Sequence, residues 1–331
     1  MCPNIKDNLK GNLRNAKESV LENLQTARDN IQSARADVLA ARKCENINDP
    51  IDTYIVDYVA MGFSKLFIAL HIIPNVVTMF SGLSGVAGGV LLALNRSLEL
   101  DALGAVLVFL SAVFDASDGQ VARLTRHYSR IGRMLDGLSD SAVYTSLYVA
   151  CVIRLWGRTP VSNAAVWHAG LIVLGIATYL CYVAQCQLPD YFKNLHMFMI
   201  DNRKGNELSR AGDIRAELAA AKGFARVPLF GYWQYTRAQE RRAPHTQKLL
   251  DAIKLKGKNE ALCDAFYDRS RRLVKLTNLL TFNLRTIVLL ACMLLHWELI
   301  GMLFVLLILE PVRLILLRRY ETLSRDLLPM L

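Results

Sequence analysis

Seven cysteines occur in the 331-residue chain, and no two of them fall in CxxC or CxxH spacing. Cys151, Cys181, Cys186 and Cys292 lie in or beside apolar runs, where the thiol acts as a small hydrophobe, so neither a disulfide framework nor a zinc site is indicated. HExxH and HxxxH are also missing, so His71 and His127 are assigned no role. The opening MCPNIKDNLKGNLR has no apolar run ahead of a small-residue cleavage site, so the chain is expected to carry no signal peptide and to begin in the cytosol. Apolar residues are in no short supply. They make up 53% of the chain and gather in runs long enough for a polytopic membrane protein. The net charge of +10 comes from Lys and Arg beside those runs. A lipid surface explains that placement better than a nucleic acid does, and no nucleic-acid partner is expected.

Four regions follow, in an all-α architecture. Residues 1–45 have no proline after Pro3 and carry an apolar stripe (Ile5, Leu9, Leu13, Ala16, Val20, Leu24) advancing in steps of 3 and 4. That is the period of an amphipathic helix lying on a membrane or a partner helix, or of a solvated helical extension. Residues 46–186 begin with an in-plane helix and continue into four expected spans near 75–95, 101–122, 131–154 and 164–186. Residues 187–275 form a polar insertion with helix-like stretches separated by Gly and Pro, expected as a helical cytosolic cap that either helps bind substrate or only decorates the surface. Residues 276–331 hold two more spans, near 276–296 and 299–318, giving a six-helix bundle. The connections after the second and fourth spans hold most of the basic residues, whereas the opposite loops carry only Arg96, Arg154 and Arg158. Both termini and the basic loops are therefore expected inside.

The stretch FDASDGQVARLTRHYSRIGRMLDGLSD, residues 114–140, places four aspartates at the inner ends of spans two and three. On helices, Asp115, Asp118 and Ala122 share one face (i, i+3, i+7), and Gly132, Asp136 and Asp140 share another (i, i+4, i+8). A tight hairpin would bring the faces together. An Asp inside a span costs roughly 2.5 to 3.5 kcal/mol at the centre, and four adjacent carboxylates repel. Divalent cations with a phosphate-bearing substrate relieve both penalties, because hard carboxylate oxygens suit Mg²⁺.

The spacing Asp115-xx-Asp118-Gly119-xx-Ala122-Arg123-x8-Gly132-xxx-Asp136-xxx-Asp140 resembles the signature of the CDP-alcohol phosphotransferases at all eight fixed positions. Pro74, Asn75 and Thr78 enter the first span as in many members. The resemblance implies transfer of a substituted phosphoryl group from a CDP-linked donor to an alcohol, with release of CMP. It implies two Mg²⁺ (or Mn²⁺) ions held by Asp115, Asp118 and Asp136, with Asp140 as the base for the acceptor hydroxyl and in reach of a metal. By the same resemblance Gly119, Ala122 and Gly132 leave room for the nucleotide, with Arg123, Asn75 and Thr78 beside it, and a homodimer is expected. The expected product chemistry is phosphatidyl transfer from CDP-diacylglycerol to inositol or inositol phosphate; the alternative is a CDP-choline or CDP-ethanolamine phosphotransferase acting on diacylglycerol.

Arg285 and Glu310 lie about 12 Å deep in spans five and six by helical rise. They are expected to pair, either as a structural ion pair or with Arg285 and Arg133 forming a basic pocket for an anionic acceptor. The glycine run SGLSGVAGG in span one suits close helix contact in a dimer, or room for substrate. A divalent-cation carrier is the rival of another class, but residues 160–331 hold no second copy of the Asp pattern. Intramembrane prenyltransferases would need two separated Asp-rich motifs.

Overall fold

The computed structural model describes residues 36, 38, 52–94, 96–127, 129–160, 162–200, 208–223 and 226–331. The amphipathic extension expected over 1–45 lies outside the described residues, apart from 36 and 38. Every regular element among the described residues is helical. A π-helical turn, Asp52–Val56, leads into α1 (Asp57–Ala69). His71 adopts a left-handed φ of 57°, which turns the chain so that Pro74 can open α2 (Pro74–Leu94). Ser97 caps α3 (Leu98–Thr125) by accepting from the Leu100 amide, with Glu99 and Asp101 in the first turn. Arg126, again left-handed at φ 57°, ends α3, and Ser129 caps α4 (Arg130–Trp156) through the Gly132 amide at 2.8 Å. α5 (Ala164–Ile200) follows, then α6 (Ala211–Ala220), α7 (Arg226–Arg242), α8 (Pro244–Lys256), α9 (Glu260–Thr277), α10 (Phe282–Leu294), α11 (Glu298–Phe304) and α12 (Glu310–Leu327).

Among the described residues, five runs are long and apolar enough to cross a membrane: α2, α3, α5, the stretch Glu260–Leu294 and the stretch Glu298–Met330. They mark an integral membrane protein. α4, expected as a span, is of similar length but is not among them, because Arg133, Asp136, Asp140 and Arg154 interrupt it. Its polar residues are tolerable because α2, α5 and α11 surround it, leaving only an outward stripe that includes Leu138, Val149, Ile153 and Trp156.

The hairpin expected from α3 and α4 is not a packed pair. α2 wedges between them and packs closely on both, while α3 and α4 hardly touch each other. Glycine makes that wedge thin enough. A Cβ on Gly85 would lie 2.5 Å from a Val143 methyl of α4 and 2.7 Å from the Ser111 hydroxyl of α3. The glycine run is thus used in packing within one chain rather than held open for a second copy or a substrate. α1 lies along the other side of α3, where Ser64 donates to the Ser117 carbonyl at 3.2 Å and Phe63, Phe67 and Phe114 cluster.

The end of the bundle away from the α3–α4 turn is locked by buried charge. Arg154 contacts Glu298 at 2.6 Å and Asp101 at 3.0 Å, and donates to the Met293 carbonyl at 2.8 Å. Arg154, read from sequence as a loop charge, is therefore inside a helix and paired, and its weight in the orientation argument falls away. At the opposite end α5 runs on for 37 residues, about 55 Å at 1.5 Å per residue, well past a hydrocarbon core of about 30 Å. The fourth span expected to stop near residue 186 thus continues as helix, because Tyr191, Phe192 and Leu195 stay buried in the same core as the bundle, which here takes in Leu249, Leu262, Phe266 and Tyr320. Ala243 has no side chain to cap α8. The Glu321 carboxylate does so instead, accepting from the His245 and Thr246 amides at 2.8 and 3.1 Å.

Candidate functional site

Asp115 and Asp118 stand in the last turns of α3, and Asp136 and Asp140 in the first turns of α4. Because α2 holds those helices apart at a fixed separation, their carboxylates meet across a gap rather than in a packed seam. One oxygen each from Asp115, Asp118 and Asp136 lies within 4.8 Å of the others. Thr78 of α2 donates its hydroxyl to Oδ2 of Asp118, and its carbonyl accepts from Ser139 of α4 at 3.3 Å, so one residue ties the wedge to both walls. Oδ1 of Asp115 is buried with no hydrogen-bond partner. An orphaned anionic oxygen in a cluster of three carboxylates fits a hard divalent cation, which would supply the missing ligand contact.

Asp140 is not one of the three clustered residues. It lies one turn further along α4, close enough for its charge to act on Asp115, and it also feels the charge of Arg285. Gly119 sits beneath the guanidinium of Arg123, where a Cβ would approach Nη1 to 3.1 Å. Gly132 lets the first turn of α4 approach Asn75, since a Cβ there would lie 2.8 Å from Asn75 Oδ1. Ala122, one turn beyond Asp118, is half-buried on the same face of α3.

Arg285 and Glu310 do not pair directly. Gln185 stands between them, accepting from Arg285 Nη2 at 3.2 Å and donating to Glu310 Oε2 at 3.3 Å, while Glu310 is held by Arg313. Arg285 is fully buried, with its guanidinium 5.4 Å from the ring of Tyr144 and 5.0 Å from that of Tyr182. It also donates to the Leu280 carbonyl at 2.9 Å. Arg133 is far from this pair: it is 11 residues before Tyr144, about 16 Å along α4. Arg133 instead lines a cleft of about 170 Å³ with Ser209, Asp213, Glu217 and Tyr232. The structure therefore separates the two arginines that sequence reasoning grouped.

Sequence reasoning missed the tyrosines around Arg285, and it missed Gln185. No periodic signal singles them out, because Tyr144, Tyr182 and Gln185 look like ordinary span residues until three helices converge. Further along α5, Tyr235 of α7 donates to Asp190 at 3.3 Å, and Gln239 donates to the same carboxylate oxygen at 3.0 Å. Burial and the charge of Asp190 push the Tyr235 hydroxyl well above the usual phenol range, which keeps it a neutral donor.

Residues 71–194 match the CDP-alcohol phosphatidyltransferase family. That segment takes in α2, α3, α4 and most of α5, and with them all four aspartates, Thr78 and Gln185. It leaves out α1, the helices α6 to α9 and the last two membrane-crossing runs. No curated protein matches the chain. The family is one of transferases of phospholipid synthesis and suggests phosphatidyl transfer from a CDP-linked donor to an alcohol within a membrane.

Proposed function

We propose that the chain moves a phosphatidyl-type group from CDP-diacylglycerol to a small polar alcohol, inositol or inositol phosphate being favoured, and releases CMP. The observation that carries this reading is the cluster of Asp115, Asp118 and Asp136, with a partnerless buried oxygen, inside the family-matched segment. Two divalent cations bound there, Mg²⁺ or Mn²⁺, would neutralise the donor diphosphate and the charge that grows on departing CMP. Asp118 is oriented for that task by Thr78, and Asp115 by its enclosed position at the end of α3. Asp140 takes the acceptor hydroxyl proton. The freed oxygen bonds to the phosphorus that bears the lipid, and the P–O bond to CMP breaks. Arg123, folded over Gly119, presents its planar fork towards phosphate or cytosine. We place this site at the cytosolic face, because the basic connections lie at the same end.

The test is CMP release by the purified protein. CDP-diacylglycerol would be offered with a panel of alcohols, and diacylglycerol with CDP-choline or CDP-ethanolamine. CMP formation with the first set, abolished in Asp140→Asn, is the expected result. CMP formation only with the second set reverses the roles of lipid and head group. Cation flux through reconstituted protein without any nucleotide turnover overturns the transferase reading in favour of a carrier.

A further inference from the structure

α7 belongs to none of the membrane-crossing runs, yet one of its sides is apolar and bare. Val227 is 64% exposed and Phe230 is 51% exposed, and the Phe230 ring lies 5.8 Å from that of Trp233. The Arg237 guanidinium sits 5.0 Å above Trp233, and Arg226 and Arg241 are exposed at the two ends of the same side. The inward side of α7 is polar and occupied. Gln239 donates to the Gln187 carbonyl at 3.1 Å, Tyr235 and Gln239 reach Asp190, and Tyr232 donates to Ser209 beside Arg133 and Met134. Those anchors are the first turn of α4 and the point where α5 passes from its apolar run into polar sequence. α5 reaches Gln187 23 residues after Ala164, about 35 Å by helical rise and just past a hydrocarbon core of about 30 Å, so the anchors of α7 stand near the end of the apolar run.

We infer that the outward side of α7, built on Val227, Phe230 and Trp233 with Arg226, Arg237 and Arg241, docks onto the head-group layer of the leaflet that the bundle already spans, with a preference for anionic lipid. Two observations choose this occupant. The helix that carries it is anchored on α4 and α5 at the end of their run through the bundle, so no separate partner has to be recruited. Its composition, aromatic and aliphatic groups bordered by arginine with a cation held on an indole face, matches the chemistry of the boundary between acyl chains and anionic head groups. The inference rests on the membrane reading of the bundle and is independent of the reaction proposed above.

Photolabelling of the wild-type full chain tests it. The protein would be placed in phosphatidylcholine vesicles, with or without about one third phosphatidylglycerol, containing a trace phospholipid with a diazirine high on its acyl chain. Cleavage after Lys and Arg releases 227–237 as a single peptide, and 216–222 from α6 as a reference. The expected result is label in 227–237 on the order of tenfold above 216–222, rising with the anionic lipid and falling to the reference level when Val227→Ser and Phe230→Ser are combined. Label in α2 without label in 227–237 overturns the inference and leaves the patch to a protein partner. Label indifferent to anionic lipid overturns the charge preference, and label that survives the double substitution overturns the assignment to these residues.

Discussion

Thr78 spends its hydroxyl on Asp118 and its carbonyl on Ser139, so a methyl in place of that hydroxyl leaves one carboxylate of the cluster without its orienting donor. Groups that orient metal-holding side chains typically matter about 10- to 100-fold in affinity or rate. Thr78→Val is therefore expected to raise the Mg²⁺ concentration needed for CMP release by about that factor, and Thr78→Ser to restore most of it. Arg285 is the other single residue with leverage. Truncation to Leu would strand the Gln185 oxygen and the Leu280 carbonyl, each stranded group costing about 1 to 3 kcal/mol. Arg285→Leu should lower the unfolding temperature of the detergent-solubilised protein as well as its turnover. Lost turnover at unchanged stability would show that the charge serves the site without helping to hold α10 against α5.

At the scale of the elements, α2 is the part whose thickness sets the distance between the two Asp-bearing helices. Gly85→Val would press on Val143 and Ser111 at once and cost about 1 to 3 kcal/mol as overpacking, whereas Gly170→Ala in α5 meets no atom within 4 Å and should be neutral or slightly stabilising. Thermal denaturation of the two variants side by side checks the contrast. The far ends of α3, α4 and α11 are joined by Arg154, and removing one partner of a buried ion cluster leaves charge uncompensated at about 3 to 5 kcal/mol. Arg154→Leu is expected to destabilise by that amount, with partial recovery when Glu298→Gln is added; recovery is read from the same melting curves.

For the molecule as a whole, the helical class and the membrane setting follow from apolar runs and from the lack of any competing pattern. The spacing of Asp115, Asp118 and Asp136 already puts them on two helix faces near one end, because helical periodicity alone fixes which residues share a side. What spacing cannot convey is which helix stands between those faces. The glycines of α2 look alike whether they serve a dimer, a substrate or a neighbour in the same chain, and only the positions of Ser111 and Val143 decide it. Arg154 misleads for a related reason: near the end of an apolar run a charge reads as a loop residue, and its partners Asp101 and Glu298 are distant in sequence. Arg285 and Glu310 are legible as ions within apolar runs, but the intervening Gln185 is not, since a neutral amide in such a run carries no pairing signal.

The central claim is that the carboxylates of Asp115, Asp118 and Asp136 hold divalent cations without which no CMP forms. It is tested most directly by stripping the purified protein with chelator, offering CDP-diacylglycerol and a competent alcohol, and titrating Mg²⁺ back. The account predicts no CMP without cation, full recovery with Mg²⁺, and no recovery at any Mg²⁺ concentration in Asp115→Asn or Asp136→Asn. Undiminished CMP release by the stripped wild-type protein would contradict it.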